Sequence, residues 1–418
     1  MAPIVAAHRV AARRTAAALA TLAATTVLGC LTATPAVADD GTQLASTDCQ
    51  FGGNVIKGTP WSLQRVIPEQ LWEGKSLKGD GTTVAVIDTG VDTKNEQLAG
   101  KVLGGKSFAK GSKPTTDGVG HGTKVAGIIA ASPIKGSGFH GLAPDAKILP
   151  LQTSTAEEGG NLATMIDAIN AAVSANVDVI NISQGTTANV SKLGPLQAAV
   201  NSAEAKGILI VASAGNSGSS GKASDTYPAA LPNPNVLSVA ASDRNNERAP
   251  FSTPNKHVDI AAPGVDMVST VPQGGQCVDQ GTSFAAPYAA GVAALLKQKH
   301  PKWTPERIIW HLEDTASRSH AYRDNNIGWG VIDPVAAVKD ETAPTQQITN
   351  KDLQGATAAG PGSEKITAAK LTLGETPAER NSRYGTYLVI GGGLAFAIIA
   401  AGAMARRDWL RRRGEDVV

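Results

Sequence analysis

The chain has little of several things that would define its class. Aromatic residues make up 4% of its 418 residues, charged residues 18%, and there are only three cysteines. Lys and Arg number 38 against 36 Asp and Glu, so neither sign of charge dominates. That balance excludes a nucleic-acid binder working through a broad basic face. No Cys-x-x-Cys or His-x-x-x-His spacing occurs, which removes the usual donor sets of a structural zinc site. No dense Asp/Asn loop marks a calcium site, so calcium is left open and no metal or other cofactor is assigned. What the chain does have is glycine (45 residues), proline (23) and 42% hydrophobic side chains. That profile suits a loop-rich α/β domain with a sizeable core, extended by tails.

Both ends carry the marks of membrane traffic. Arg9, Arg13 and Arg14 precede an apolar run over 16–31, and Ala36-Val37-Ala38 offers the small residues of an export cleavage site. Residues 1–38 are therefore expected to be a signal peptide. At the other end, 387–405 is free of charge and reaches about 28 Å as a helix. Arg406, Arg407, Arg411, Arg412 and Arg413 follow it. These features predict a single transmembrane helix over 385–405, a short basic cytoplasmic tail over 406–418, and the rest of the mature chain outside the cell membrane. Cleavage after Ala38 removes Cys30, and the remaining Cys49 and Cys277, in an exported chain, predict one disulfide.

Between the ends, residues 341–384 are rich in Thr, Ala, Gly and Pro and read as a flexible linker. Residues 39–80, with Trp61 and Trp72, read as an N-terminal extension packed on the main domain, an inhibitory propeptide being the competing reading. Over 81–340 strands and helices alternate. Apolar strand-like runs fall at 83–87, 147–151, 177–182, 208–212 and 236–240. Helical stretches lie at 162–175, with Leu162, Met165, Ile166, Ile169 and Val173 on one face, and at 195–206, ended by Gly207. This pattern predicts an α/β fold with a mainly parallel central sheet covered on both faces, its chemistry at the carboxyl ends of the strands.

Three motifs fall where that chemistry is expected. The first strand delivers Asp88-Thr89-Gly90. Alone, Asp-Thr-Gly also fits phosphoryl transfer or an aspartic protease, but the latter needs a second copy, which the chain lacks. Gly120-His121-Gly122-Thr123 leaves the imidazole uncrowded, as a general base requires. Gly281-Thr282-Ser283-Phe284-Ala285-Ala286-Pro287 opens an Ala-rich stretch that is apolar nearly all round and should be a buried helix. Ser283 then stands at a helix N-terminus, where N–H groups and the dipole favour negative charge. Read locally, such a Ser is also a plain N-cap.

The order Asp88, His121, Ser283 with these neighbours resembles the subtilisin-like serine proteases. Further landmarks are Gly141-Leu142-Ala143-Pro144, Ser183-Gln184-Gly185, Ala214-Gly215-Asn216, Tyr227-Pro228-Ala229, Ala262-Pro263-Gly264 and Gly328-Trp329-Gly330. The resemblance implies a three-layer subtilisin-like fold and a serine endopeptidase with an Asp88–His121–Ser283 triad. It implies an oxyanion hole from Asn216 and the Ser283 N–H, and extended polypeptide substrates held by Ser183, Gln184, Gly185, Ser213, Ala214 and Gly215. Thr226 stands where the family often has Gly, which implies a narrower pocket for the residue before the cleaved bond (P1).

Within that family the layout is similar to the mycosins, membrane-anchored subtilases associated with type VII secretion. The shared features are Phe284, the Trp-bearing extension, the signal and the C-terminal anchor. The likeness implies either processing of secreted proteins or a structural part in the secretion membrane complex with catalysis dispensable. One departure is that mycosins commonly carry a cysteine close to the catalytic His, whereas Thr115-Thr116-Asp117-Gly118 here has none.

Overall fold

The computed structural model describes residues 49–72, 76–156, 161–187, 190–220 and 223–353, with 384, 386, 387, 393, 399–407 and 409. Its chain contacts separate a unit over 1–358 from one over 359–418. The first contains a seven-stranded sheet in the order β2-β3-β1-β4-β5-β6-β7, every adjacent pair parallel. The strands are β1 (Thr83–Asp88), β2 (Lys106–Ser107), β3 (Lys147–Gln152), β4 (Val179–Ile182), β5 (Leu209–Ser213), β6 (Val236–Ser242) and β7 (Ile260–Pro263). The five expected strands are present, while β2 and β7 are additions. Two residues in one case and a short Ile-Ala-Ala-Pro in the other carry no readable periodicity.

Two short helices in the extension, α1 (Trp61–Gln64) and α2 (Pro68–Leu71), precede the sheet. They are followed by α3 (His121–Ala130), α4 (Leu162–Ser174), α5 (Gly194–Ala205), α6 (Thr282–Lys299), α7 (Pro305–Asp314) and α8 (Pro334–Lys339). Residues of α3 and α6 share one core cluster with Val84, Val86, Val179, Leu209 and Val211. Residues of α4 and α5 share the other with Ala85, Ile87, Ile180, Ile182 and Ile210. Because side chains alternate along a strand, β1, β4 and β5 feed both cores, which is why they read as unbroken apolar runs. The result is the expected three-layer α/β architecture. Helix α6 lies in the middle of its layer, buried from Phe284 to Lys297, as its all-round apolar sequence requires. Gly207 follows α5 at φ +70°, the left-handed turn that a glycine adopts without a Cβ penalty.

The strand order defines where a site can form. From β1 the chain runs to the edge strand β2, comes back inward to β3 beside β1, then crosses to β4 on the other side of β1 and continues outward. The carboxyl ends of β1 and β4 therefore border a topological switch point, the standard crevice of an open parallel sheet.

The extension packs on this unit. The Trp61 indole donates to Val265 O (2.8 Å), the Trp72 indole to Leu142 O (2.9 Å) and the Tyr288 hydroxyl to Ser62 O (2.9 Å). A hairpin, β8 (Met267–Thr270) with β9 (Gln276–Asp279), holds Cys277, which is disulfide-bonded to Cys49 with 5.3 Å between the Cα atoms. At the other end the chain stays attached beyond 340. Lys299 Nζ meets Glu341 at 2.6 Å, Gln347 donates to both Glu313 oxygens, and the Asn350 side chain accepts the Arg323 N–H at 2.7 Å. The start of the segment read as a linker is thus tied to the domain by polar contacts, which leave no hydrophobic periodicity to read.

The expected signal peptide, and most of the expected transmembrane helix, lie outside the described residues. Within the second unit Tyr387, Gly393 and 399–407 are helical. Among the described residues no helix is long and apolar enough to cross a membrane.

Glu313, fully buried on α7, has its carboxyl pushed well above the usual range by burial and then by the Asp259 carboxylate. Burial likewise pushes Asp259 up to about 7, although a fifth of its side chain remains exposed and solvent moderates its share. A carboxyl raised on folding favours the folded state below its unfolded pKa, and that contribution is lost as pH climbs through the folded one. Thermal melts should therefore show a midpoint that falls between about pH 5 and 8. In Glu313→Gln the fall should be smaller, and an unchanged slope would contradict the assignment.

Candidate active site

Asp88 is the last residue of β1, carried by the strand to the sheet's carboxyl edge and fully buried there. Its Oδ1 accepts the Thr89 N–H (2.7 Å) and His121 Nδ1–H (2.8 Å). Its Oδ2 is buried with no hydrogen-bond partner among the described residues. Among the described residues the imidazole is the one ionisable partner of this carboxylate, and a positive charge forming on the ring is met by an anion in a site of low dielectric.

His121 opens α3 and is 4% exposed. The turn ahead of it is organised by Asp117, which the sequence reading passed over. One Asp117 oxygen accepts from the N–H groups of Val119 and Gly120 and the Thr89 hydroxyl; the other accepts the Thr123 N–H and hydroxyl, all within 3.1 Å. An anion here satisfies donors that a helix N-terminus leaves unpaired and opposes the positive end of the dipole. Gly122 has no room for a side chain, since a Cβ would lie 2.1 Å from Gly90 O. The helix thus packs directly on the Asp88-Thr89-Gly90 turn, which is how two segments 33 residues apart share one hydrogen bond.

Ser283 is half-buried in the first turn of α6, behind Gly281, whose φ of +151° suits glycine. Asn216, exposed after β5, has its Oδ1 held by the Thr282 N–H (2.9 Å) and hydroxyl (2.8 Å). With the amide oxygen engaged by two donors, Nδ2 is the end left to donate, and it sits 3.4 Å from where a Gly281 side chain would begin. Thr282 was visible inside the Gly-Thr-Ser motif, but nothing local revealed that it orients Asn216. Ser183 Oγ donates to the Ser283 carbonyl (2.8 Å), joining the end of β4 to the same turn.

His121, Ser183, Gln184, Gly185, Ser213, Gly215, Asn216, Thr226 and Ser283 are among the residues lining one cleft of about 620 Å³. No described residue of the extension lines it. Ala214 departs from expectation. It does not line the cleft, and its side chain is fully buried with Ala240, Val258, Ala261, Ile327 and Val331. Alternation along the chain turns it inward between Ser213 and Gly215, so only its backbone can face a substrate. A second cavity of about 570 Å³ lies at the opposite, amino-terminal edge of the sheet, near Asp178, Gly207 and Lys297, and holds none of the three motifs. Among the described residues no group of three or more His, Cys, Asp or Glu gathers as metal ligands would.

An imidazole hydrogen-bonded to a buried carboxylate, a hydroxyl at a helix N-terminus and an amide donor around one cleft are groups that acyl transfer can use, the chemistry of the serine hydrolases of α/β fold. The Subtilase family model (Peptidase_S8) matches residues 79–330. Subtilisin BL of Lederbergia lenta is 38% identical over 284 residues, covering 68% of this chain and 100% of that protein. Subtilisin E of Bacillus subtilis (strain 168) is 37% identical over 288 residues, covering 68% and 72%. Among solved structures, MycP1 of Mycobacterium smegmatis matches at 28% identity and TM-score 0.63, covering 72% of this chain and 92% of that one. The MycP3 protease from the type VII (ESX-3) secretion system matches at 30% identity and TM-score 0.60, covering 68% and 91%. The chain belongs to the subtilase family and is a serine endopeptidase of subtilisin type, with the mycosin likeness that its sequence motifs carry.

Proposed function

We propose that the chain hydrolyses peptide bonds through an acyl-enzyme on Ser283, as a membrane-anchored protease acting outside the cell membrane. Ser283 Oγ attacks the scissile carbonyl while His121 Nε2 accepts its proton and later returns it to the leaving amine. Asp88 holds the tautomer with hydrogen on Nδ1 and stabilises the imidazolium. The oxyanion is met by Asn216 Nδ2 and the Ser283 N–H. The substrate lies as an extended strand along Ser183–Gly185 on one side and Ser213–Gly215 on the other, pairing through its backbone. The observation that carries this reading is the 2.8 Å His121–Asp88 hydrogen bond in the wall of a cleft that Ser283 also lines.

Thr226 restricts the P1 residue. A Cβ on Gly185 would come within 2.1 Å of Thr226 Cγ2, and one on Gly215 within 2.6 Å of its Oγ1, so the side chain fills the space between those two backbones. A P1-varied peptide library tests this. Small P1 residues should be preferred, and Thr226→Gly should raise kcat/KM for P1 Phe by about 10- to 100-fold. Preference for Phe in both proteins would overturn the assignment.

The membrane placement is supported by the charge-free run over 387–405, its arginine flank and the export signature over 1–38. Association with a type VII secretion system is supported by likeness to MycP1 and MycP3, proteases of the ESX-1 and ESX-3 systems. The same likeness favours a second reading, in which the anchored domain stabilises the secretion membrane complex and catalysis is dispensable.

A further inference from the structure

Every residue of α3 is buried, including Lys124, which is 6% exposed. A lysine ammonium is rarely taken from water without a partner that repays the desolvation. Lys124 is three residues past His121, so the two share a helix face. Its Nζ is paired with Asp279 Oδ2, and Asp279 ends β9 four residues before Ser283. Asp279 Oδ1 also accepts the Gln280 N–H (2.8 Å), fixing the carboxylate on the approach to the nucleophile. Nζ lies 5.4 Å from the centroid of the Phe284 ring, and that ring is 5.3 Å from the His121 imidazole. One aromatic side chain, adjacent to Ser283, thus touches both the ammonium and the base.

We propose that Lys124, paired with Asp279, is a positioning residue for the proton transfer. It joins the helix turn that holds His121 to the segment that delivers Ser283, and its charge keeps the imidazole in the neutral, proton-accepting form. The inference rests on the triad reading above. Among the described residues, the ionisable groups packed around this turn are Asp88 on β1, Asp92 and Asp117 on the loops before α3, and Lys124 and Asp279. Asp88, Asp92 and Asp117 all favour the imidazolium, and Lys124 opposes them. Asp279 offsets that opposition in part, so each partner of the pair moves the base in its own direction.

The test is the acid limb of kcat/KM against pH for Lys124→Met, Asp279→Asn and the double variant of the full chain, with thermal melts in parallel. Lys124→Met should move the limb to higher pH by about half a unit, with kcat falling while KM holds. Asp279→Asn should move it lower by a smaller amount, and the double variant should fall between wild type and Lys124→Met. Coincident limbs with only the melts changed would reduce the pair to a structural staple and overturn the proposal. Should Lys124→Met fail to fold, Asp279→Asn decides, and an unmoved or raised limb there overturns it. Failure of the triad reading has a separate signature, a wild-type chain that a fluorophosphonate does not label on Ser283.

Discussion

Ser283→Ala is expected to leave a folded protein without measurable peptidase activity. Nucleophile and base act as a unit, so deleting either costs about what deleting the whole triad costs, a loss on the order of 10⁶ in kcat. The fold should tolerate the change. Ser283 is not the cap of α6, the residue before the helix being Gly281, and the hydrogen bond from Ser183 reaches the Ser283 carbonyl, which alanine keeps. The melting midpoint should stay within about 2 °C of wild type, a shift below that of a 1 kcal/mol change. Residual activity above about one part in 10³ would place the nucleophile elsewhere. In cells the same variant separates the two roles. Secretion lost with Ser283→Ala marks catalysis as the working part, while secretion lost only on deletion of the whole chain marks the scaffold.

Asp88→Asn should cost about 10⁴ in kcat. The carboxylate is fully buried, and its Oδ1 accepts from both the Thr89 N–H and His121. An amide of the same shape keeps the packing but removes the charge that meets the imidazolium. If its NH₂ group faces the ring, it also stabilises the tautomer with the proton on Nε2, where it blocks the transfer. The measurement is kcat at a pH where the wild-type imidazole is neutral, with a melt to confirm folding. A loss under tenfold would mean that Asp88 only fills space.

Much of the site was legible because its chemistry needs residue types in unusual surroundings. Asp88 ended an apolar strand, His121 stood between glycines, and Ser283 opened a helix with no polar face. The parallel sheet was legible for a similar reason, since strands buried on both faces leave unbroken apolar runs. What escaped was whatever depends on segments far apart in the chain. Asp117 is an ordinary loop aspartate until α3 folds above it, and Lys124 and Asp279 are 155 positions apart. Thr282 is a motif flank until Asn216 arrives beside it. The inward turn of the Ala214 side chain also escaped, because it depends on the apolar residues of other segments that surround it. The hairpin β8–β9 and strand β7 were too short, and too rich in small and polar residues, to show a period.

The most direct test of the central claim is to react the full chain with a fluorophosphonate from pH 5 to 9 and map the adduct by mass spectrometry. A single adduct on the peptide containing Ser283 is expected, forming faster as pH rises through about 6–8, the range in which a histidine base loses its proton. The rate should collapse in His121→Ala. An adduct on another residue, or one that forms at the wild-type rate without His121, would contradict the account.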